Sequence, residues 1–218
     1  MFNATKDITL INVNTVNPAR AVNVLNFSSK CIEFDKTILF SNVRPDNITD
    51  NITFVECDVN SIYDYNVFIL KRLADYIETE HCLIIQNDGF VINPHLWNED
   101  FLNYDYIGAP WNKNGMRVWG RTNRIGNGGF SLRSKELLKH LQACEDIDFN
   151  QPEDVTVSNL IENSNFKYPE LDLAVTFSLE DYLEDYPHDL TTCFGFHGSL
   201  NYDNLVTLCP NVLNIKKL

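Results

Sequence analysis

His81-Cys82-Leu83-Ile84-Ile85-Gln86-Asn87-Asp88-Gly89 is the stretch whose reading decides the fold. Cys82 to Ile85 is apolar at every position, so both faces of the segment need cover. A strand with one wet face alternates, whereas a strand of a parallel sheet covered on both faces reads as a continuous apolar run. Asn87-Asp88-Gly89 ends it with turn chemistry. Upstream, Ile8 to Val13 is a second β-rich run, closed by Asn14-Thr15-Val16-Asn17-Pro18. Asn17 is a helix cap and Pro18 a first helical residue, where the missing N–H costs little. The helix is expected to reach about Phe27. Thr37 to Phe40 and Ile52 to Val55 predict two further strands. Leu70, Leu73, Ala74 and Ile77 have the spacing of one buried helical face. Strands alternating with helices predict an α/β domain with a mostly parallel central sheet and right-handed crossovers.

The second half is less regular. Tyr104 to Trp111 is aromatic and extended, and Asn112 to Asn127 is polar, glycine-containing and expected to be a mobile loop. Gly128 to Arg133 predicts a strand, and Ser134 caps a helix carrying Leu137, Leu138 and Leu141. Gln151-Pro152-Glu153-Asp154 opens another helix, with Pro152 at its first position, and Val175 to Leu179 is a strand candidate. No repeat or linker divides the 218 residues, which are expected to form one domain, 1–218.

Charge and composition narrow the function classes. Thirty acidic residues against seventeen Lys and Arg leave a net charge of −13. Nucleic-acid binders want a basic stripe over phosphates, and anionic membranes want basic patches, so neither partner is expected. No apolar run has the length of a membrane span. The six cysteines form no CxxC pair; they are expected to be reduced, in a cytoplasmic protein. A small anionic substrate stays open, because a metal ion reverses the local field.

Four constellations carry chemistry, each beside a blander reading. Asp88 follows the central strand at its carboxyl end, where open α/β sheets bind ligands, though Asn-Asp-Gly is also an ordinary turn. Gly126-Asn127-Gly128-Gly129-Phe130-Ser131 lets backbone approach a ligand, or forms a bulge. Glu153 and Asp154 lie in the first turn of a helix, where the dipole favours carboxylates for capping alone; the functional reading is a general base held ionised. His197, between Phe196 and Gly198, suits a Mn²⁺-like ion in company with carboxylates, though a lone His is more often structural.

In this order the set resembles nucleotide-sugar glycosyltransferases of the GT-A (Rossmann-like) fold, and within them a small family of glycosyltransferase-like domains of unknown function. The matching stretches are Thr15 to Pro18, Gln86 to Phe90, Tyr106 to Trp111, Gly126 to Arg133, Pro152 to Asp154 and Phe194 to Gly198. The resemblance implies a nucleotide-binding half, 1–88, and an acceptor and catalytic half, 89–218. It implies that Asp88 and His197 hold Mn²⁺ or Mg²⁺ on the donor diphosphate. Gln86 stands where the family's first motif acid would be, supplying an amide in place of a charge. Asp154 matches the base of inverting members, with Glu153 its rival. Thr15, Val16 and Asn17 are expected to border base and ribose, and Gly128 and Gly129 the floor where the donor sugar meets a saccharide acceptor. Arg117, Arg121 and Arg124 either fold over the phosphates or belong to a solvated loop.

Two alternatives stand beside this reading. A metal-dependent nucleotidyltransferase usually carries a glycine- and Lys/Arg-rich loop after its first strand, and Thr15 to Arg20 has no glycine. A non-catalytic sugar-binding module would use Tyr104, Tyr106 and Trp111 as a stacking platform.

Overall fold

The computed structural model describes residues 7–114 and 122–208. Six strands form the central sheet in the order β3-β2-β1-β4-β6-β5. They are β1 (Ile8–Val13), β2 (Lys36–Ser41), β3 (Thr53–Glu56), β4 (His81–Ile85), β5 (Tyr106–Pro110) and β6 (Ile125–Ser134). The β3–β2, β2–β1 and β1–β4 pairs are parallel, and β6 alone runs against its neighbours β4 and β5. The result is an α/β fold with a mostly parallel sheet flanked by helices.

Period-2 alternation within the continuous apolar strands sorts their side chains between two layers. Ile8, Leu10, Leu83 and Ile85 face α1 (Pro18–Cys31), packing with Ala21, Val22 and Leu25. Ile11, Val13, Cys82 and Ile84 face α2 (Ile62–Lys71), packing with Phe68, Ile69 and Leu73. Helices α3 (Lys135–Ala143), α4 (Glu153–Glu162) and α5 (Leu171–Phe177) share a third cluster with Tyr106 and Ile125. A short parallel pair, β7 (Ser178–Leu179) and β8 (Gly195–Phe196), precedes α6 (Ser199–Leu208).

Local signals act as expected at several ends. Asn17 accepts from the Arg20 amide, with Pro18 opening α1, and Ser134 accepts from Leu137 N. Helix α1 runs beyond Phe27 to Cys31, because Ser28 and its neighbours continue the buried face. Leu70, Leu73, Ala74 and Ile77 are buried, but not along one α-helix. Arg72 leaves helical geometry (φ −124°, ψ −28°), and Leu73–Tyr76 tighten into a 3-10 turn.

Three expectations are corrected. Val175 to Phe177 is helical; Ala174 and Phe177, three apart, bury one face of α5, and this burial overrides the β-propensity of Val175 and Thr176. The expected loop from Asn112 to Asn127 ends early, because the fully buried Ile125 already belongs to β6. Its described ends are tied down: Asn112 donates to the Tyr182 carbonyl, and Arg124 pairs with Asp185 at 3.0 Å. The loop centre, with Arg117, Trp119 and Arg121, lies outside the described residues. The stacking platform is also absent: Tyr106 and Trp111 are 0% and 1% exposed, consumed by the core.

Candidate active site at the carboxyl edge of the sheet

Two clefts meet where β1, β3 and β4 end. One of about 360 Å³ is lined by Asn14, Thr15, Val16, Asn60 and Ser61. The second, about 330 Å³, is lined by Gly128, Gly129, Glu153, Asp154, Glu180 and His197. Ile62, Tyr65 and Gln86 line both. Antiparallel β6 contributes here because it begins where β4 finishes: Phe130 pairs with Ile85, leaving Gly128 and Gly129 beside Gln86. A larger cleft of about 650 Å³ lies at the opposite edge, around His81, Asp105 and Ser134. None of the candidate catalytic, metal-binding or nucleotide-binding residues named above lines it.

His197 is delivered by aromatic packing and strand register. Phe194 packs against Trp97, Phe130 and Phe177, and Phe196 lies edge-on to Phe90 with centroids 4.8 Å apart. The β7–β8 register pairs Leu179 with Phe196, so the next residues, Glu180 and His197, emerge side by side. His197 Nδ1 lies 2.6 Å from Glu180 Oε2. Its Nε2 lies 3.3 Å from Asp88 Oδ1 and 3.1 Å from Gln86 Oε1. A Cβ on Gly129 would enter the imidazole, and one on Gly89 would come within 2.8 Å of it, so only glycine leaves room for the ring. Gly198, at φ 98°, then turns the chain into α6. Asn201 fastens the assembly by donating to the carbonyls of Leu179, Glu180 and His197.

Burial works against a charge on His197, but the hydrogen bonds to Asp88 and Glu180 outweigh it and raise its pKa to about 10. The same bond from His197 holds Asp88 below the usual carboxylate range, against the opposing effect of burial. The charges of His197 and, to a smaller degree, Arg20 act in the same direction.

The two acids opening α4 have different settings. Glu153 is gripped by Arg133 with bonds of 2.7 and 2.9 Å, the guanidinium side chain being wholly buried. Burial disfavours the Arg133 charge, and the Glu153 carboxylate overcomes this and raises its pKa. A carboxylate forked onto a buried guanidinium is a poor proton acceptor, so the geometry disfavours Glu153 as the base. Asp154 accepts from Gly128 N at 3.4 Å and from Val155 N at 2.8 Å, and it lines the cleft. The β5–β6 register jumps from Gly108–Ser131 to Ala109–Asn127, so Gly128 to Phe130 bulge out, closed by Ser131 Oγ on the Gly128 carbonyl. The bulge re-aims the Gly128 amide at Asp154. The bulge reading of the glycine run therefore holds, and Gly128 and Gly129 also line the cleft.

Thr15 and Val16 line the first cleft, with Val16 94% exposed at its rim. Asn17 is spent on structure, since its side chain caps α1 and its carbonyl accepts from Asn87. Arg124 donates to Asp185 and the Trp111 carbonyl and is committed to those partners.

Three donors could hold a divalent cation between them. Asp88 Oδ1, Gln86 Oε1 and His197 Nε2 converge, while Glu180 on Nδ1 orients the imidazole as a carboxylate behind a metal-bound histidine does. Among the described residues, no three His, Cys, Asp or Glu side chains group to hold a metal. A third donor would have to be the Gln86 amide oxygen, an uncharged ligand that suits Mg²⁺ or Mn²⁺ less strongly than a carboxylate.

Three participants escape a sequence reading. Glu180 depends on the β7–β8 register. Tyr65 accepts from Gln86 Nε2 at 3.3 Å. Asn66 receives the Glu153 amide at 3.2 Å, pinning the start of α4 from across the cleft. Helical periodicity marks α2 but not which of its polar residues reach the sheet edge.

The profile of a family described as "Protein of unknown function (DUF5672)" matches residues 49–197, more than half of the chain. No curated protein matches. Among solved structures, bifunctional IspDF from Campylobacter jejuni is 13% identical with a TM-score of 0.40, over 70% of this chain and 47% of that one. Glucosyl-3-phosphoglycerate synthase from Mycobacterium tuberculosis, in complex with phosphoglyceric acid, is also 13% identical with a TM-score of 0.40, over 62% of this chain and 59% of that one. The chain thus spans less than two thirds of either structure.

Proposed function

The chain belongs to the DUF5672 family, and we propose that it is a metal-dependent glycosyltransferase that moves a sugar from a nucleotide-sugar donor to a saccharide hydroxyl with inversion. The observation that carries the reading is the convergence of Asp88 and His197 at 3.3 Å, with Asp154 lining the same cleft as His197. The adjoining cleft at Thr15 and Val16 is suited to the nucleoside, and shared Gln86 marks where the two would meet.

Asp88, His197 and the Gln86 carbonyl would hold Mn²⁺ or Mg²⁺. A bound ion of this kind offsets charge building on a departing diphosphate. The chain's own residues do the rest. Asp154 takes the proton from the acceptor hydroxyl as its oxygen forms a bond to the anomeric carbon. The bond from that carbon to the diphosphate oxygen breaks, and its electron pair leaves with the nucleoside diphosphate. One displacement inverts the centre. The Gly128 and Val155 amides orient the Asp154 carboxylate, and the dipole at the first turn of α4 favours a negative charge there.

The test is a panel of nucleotide sugars with saccharide acceptors, with and without Mn²⁺, read for the nucleoside product. Mn²⁺-dependent release of nucleoside diphosphate, with an inverted glycoside, is expected. Pyrophosphate release from a nucleoside triphosphate and a sugar phosphate would point to a nucleotidyltransferase. Saccharide binding without turnover of any donor would point to a binding module.

A further inference from the structure

Building on the glycosyltransferase reading, we infer that Arg20, in the first turn of α1, is the protein's own cation for the donor diphosphate, acting beside the Asp88–His197 site.

Arg20 is an unusual residue where it stands. A positive charge in the first turn opposes the helix dipole, and α1 carries no acid in that turn to compensate. Helical side chains lean toward the N-terminus of their helix, and for α1 that end lies at the carboxyl edge of the sheet. The Asn17 carbonyl there receives the Asn87 side chain, so the start of α1 is latched to the turn that carries Asp88. The Arg20 guanidinium stacks 4.6 Å from the centroid of Tyr202 in α6, the helix that follows His197 and Gly198. Arg20 thus stands between the turn that carries Asp88 and the helix that follows His197.

The side chain is prepared for an anion. Stacking on an aromatic face leaves the in-plane N–H donors of a guanidinium for another partner. Nε is enclosed and, among the described residues, donates to no acceptor. Among the described residues Arg20 forms no ion pair, although the chain has thirty acids. Other cations are committed elsewhere, Arg133 to Glu153 and Arg124 to Asp185. No described lysine or arginine lines either cleft, and Arg20 stands outside both, with its field felt at Asp88. In a chain of net charge −13, a diphosphate needs positive partners, and a planar guanidinium suits phosphate oxygens. Arg20 also contributes to holding Asp88 ionised, which places its field at the same spot.

The experiment compares wild type, Arg20→Gln and Arg20→Lys. Calorimetry with UDP and GDP, each with Mn²⁺, measures diphosphate binding, and NMR titration with uridine and guanosine measures nucleoside binding. Loss of one charge-assisted contact should weaken Arg20→Gln for the diphosphate by about tenfold or more, with nucleoside binding unchanged. Arg20→Lys should recover part of the loss, and it carries the comparison if the glutamine variant does not fold. Diphosphate affinity equal to wild type in the variants overturns the role of Arg20 and leaves the proposed function standing. An equal loss for nucleoside and diphosphate also overturns it, because the residue would then act through the fold. Wild-type protein that binds no nucleoside diphosphate overturns both.

Discussion

His197 Nδ1 lies 2.6 Å from Glu180 Oε2 because each residue is the first beyond a strand of the parallel β7–β8 pair. A carboxylate behind a metal-binding imidazole fixes the ring and raises its basicity. Glu180→Gln keeps the shape and removes the charge. Mn²⁺ affinity, followed by electron paramagnetic resonance of the free ion, should fall about 10–100-fold. Unchanged affinity would show that Glu180 merely packs against the ring.

The same cluster gives protein stripped of divalent ions a pH signature. The pKa of His197 is about 10 in the folded chain and about 6.5 when unfolded. A raised folded pKa means that its contribution to stability is fully present below the unfolded value. It is lost as pH rises toward the folded one. Asp88 has the opposite sign: its pKa is lowered from 3.8, so its contribution is present above that value and fades in acid. With chelator present, the thermal midpoint of wild type should decline between pH 6.5 and 10 more steeply than that of His197→Gln. Parallel slopes over that window would remove the ion pairs from the account.

Gly128 and Gly129 are neighbours with different obligations. A Cβ at Gly129 enters the His197 ring, whereas a Cβ at Gly128 meets Glu153 Oε1, Arg133 Nη2 and Asp154 Cβ. Gly129→Ala should displace the His197 ring, abolish Mn²⁺-dependent donor binding and forfeit the stability that the His197 ion pairs supply. Gly128→Ala pushes into a buried ion pair and should lower stability by about 1–3 kcal/mol. Chemical denaturation of both variants, alongside donor binding, separates the two effects. Donor binding kept in Gly129→Ala and lost in folded Gly128→Ala would contradict this assignment.

Arg133 and Glu153 form a buried pair that can be broken from one side. Glu153→Gln leaves the guanidinium, 0% exposed, without its counter-charge. Removing one partner of such a pair typically costs about 3–5 kcal/mol. The double variant Arg133→Met with Glu153→Leu should regain part of that loss, because two apolar side chains leave no uncompensated charge. Urea denaturation of wild type, single and double variants measures the recovery. A single variant as stable as wild type would mean that water reaches Arg133.

The sheet was legible because β1, β2 and β4 are covered on both faces, and continuous apolarity is a strong signal. Val175 and Thr176 misled because residue type alone cannot reveal that Ala174 and Phe177 share a buried helix face. Tyr106 and Trp111 misled for the same reason: an aromatic run does not say which rings the core takes. The sequence names Asp88, His197 and Asp154, which the fold gathers at one edge of the sheet. Glu180 was illegible because only the β7–β8 register joins it to His197. The division between Glu153, gripped by Arg133, and Asp154, held by the Gly128 and Val155 amides, depends on a partner on β6 that pairwise spacing cannot supply.

That division sets the decisive substitution. Asp154 lines the cleft, accepts the Gly128 and Val155 amides, and stands at the start of a helix whose dipole favours a carboxylate. Asp154→Asn keeps the side-chain shape and removes the basicity. A positioned base typically contributes about 10²–10⁴-fold, so kcat should fall by about 10²-fold or more. Donor affinity should change little, because an interaction made only in the transition state lowers kcat without weakening binding. Glu153→Gln differs in kind: its loss should follow stability and disappear at a temperature where the variant stays folded. Steady-state kinetics with direct donor titration for both variants, at a temperature below both unfolding transitions, reads the contrast. Near-normal turnover in Asp154→Asn with loss in folded Glu153→Gln would transfer the role of base to Glu153. Normal turnover in both would require the acceptor proton to leave by another route.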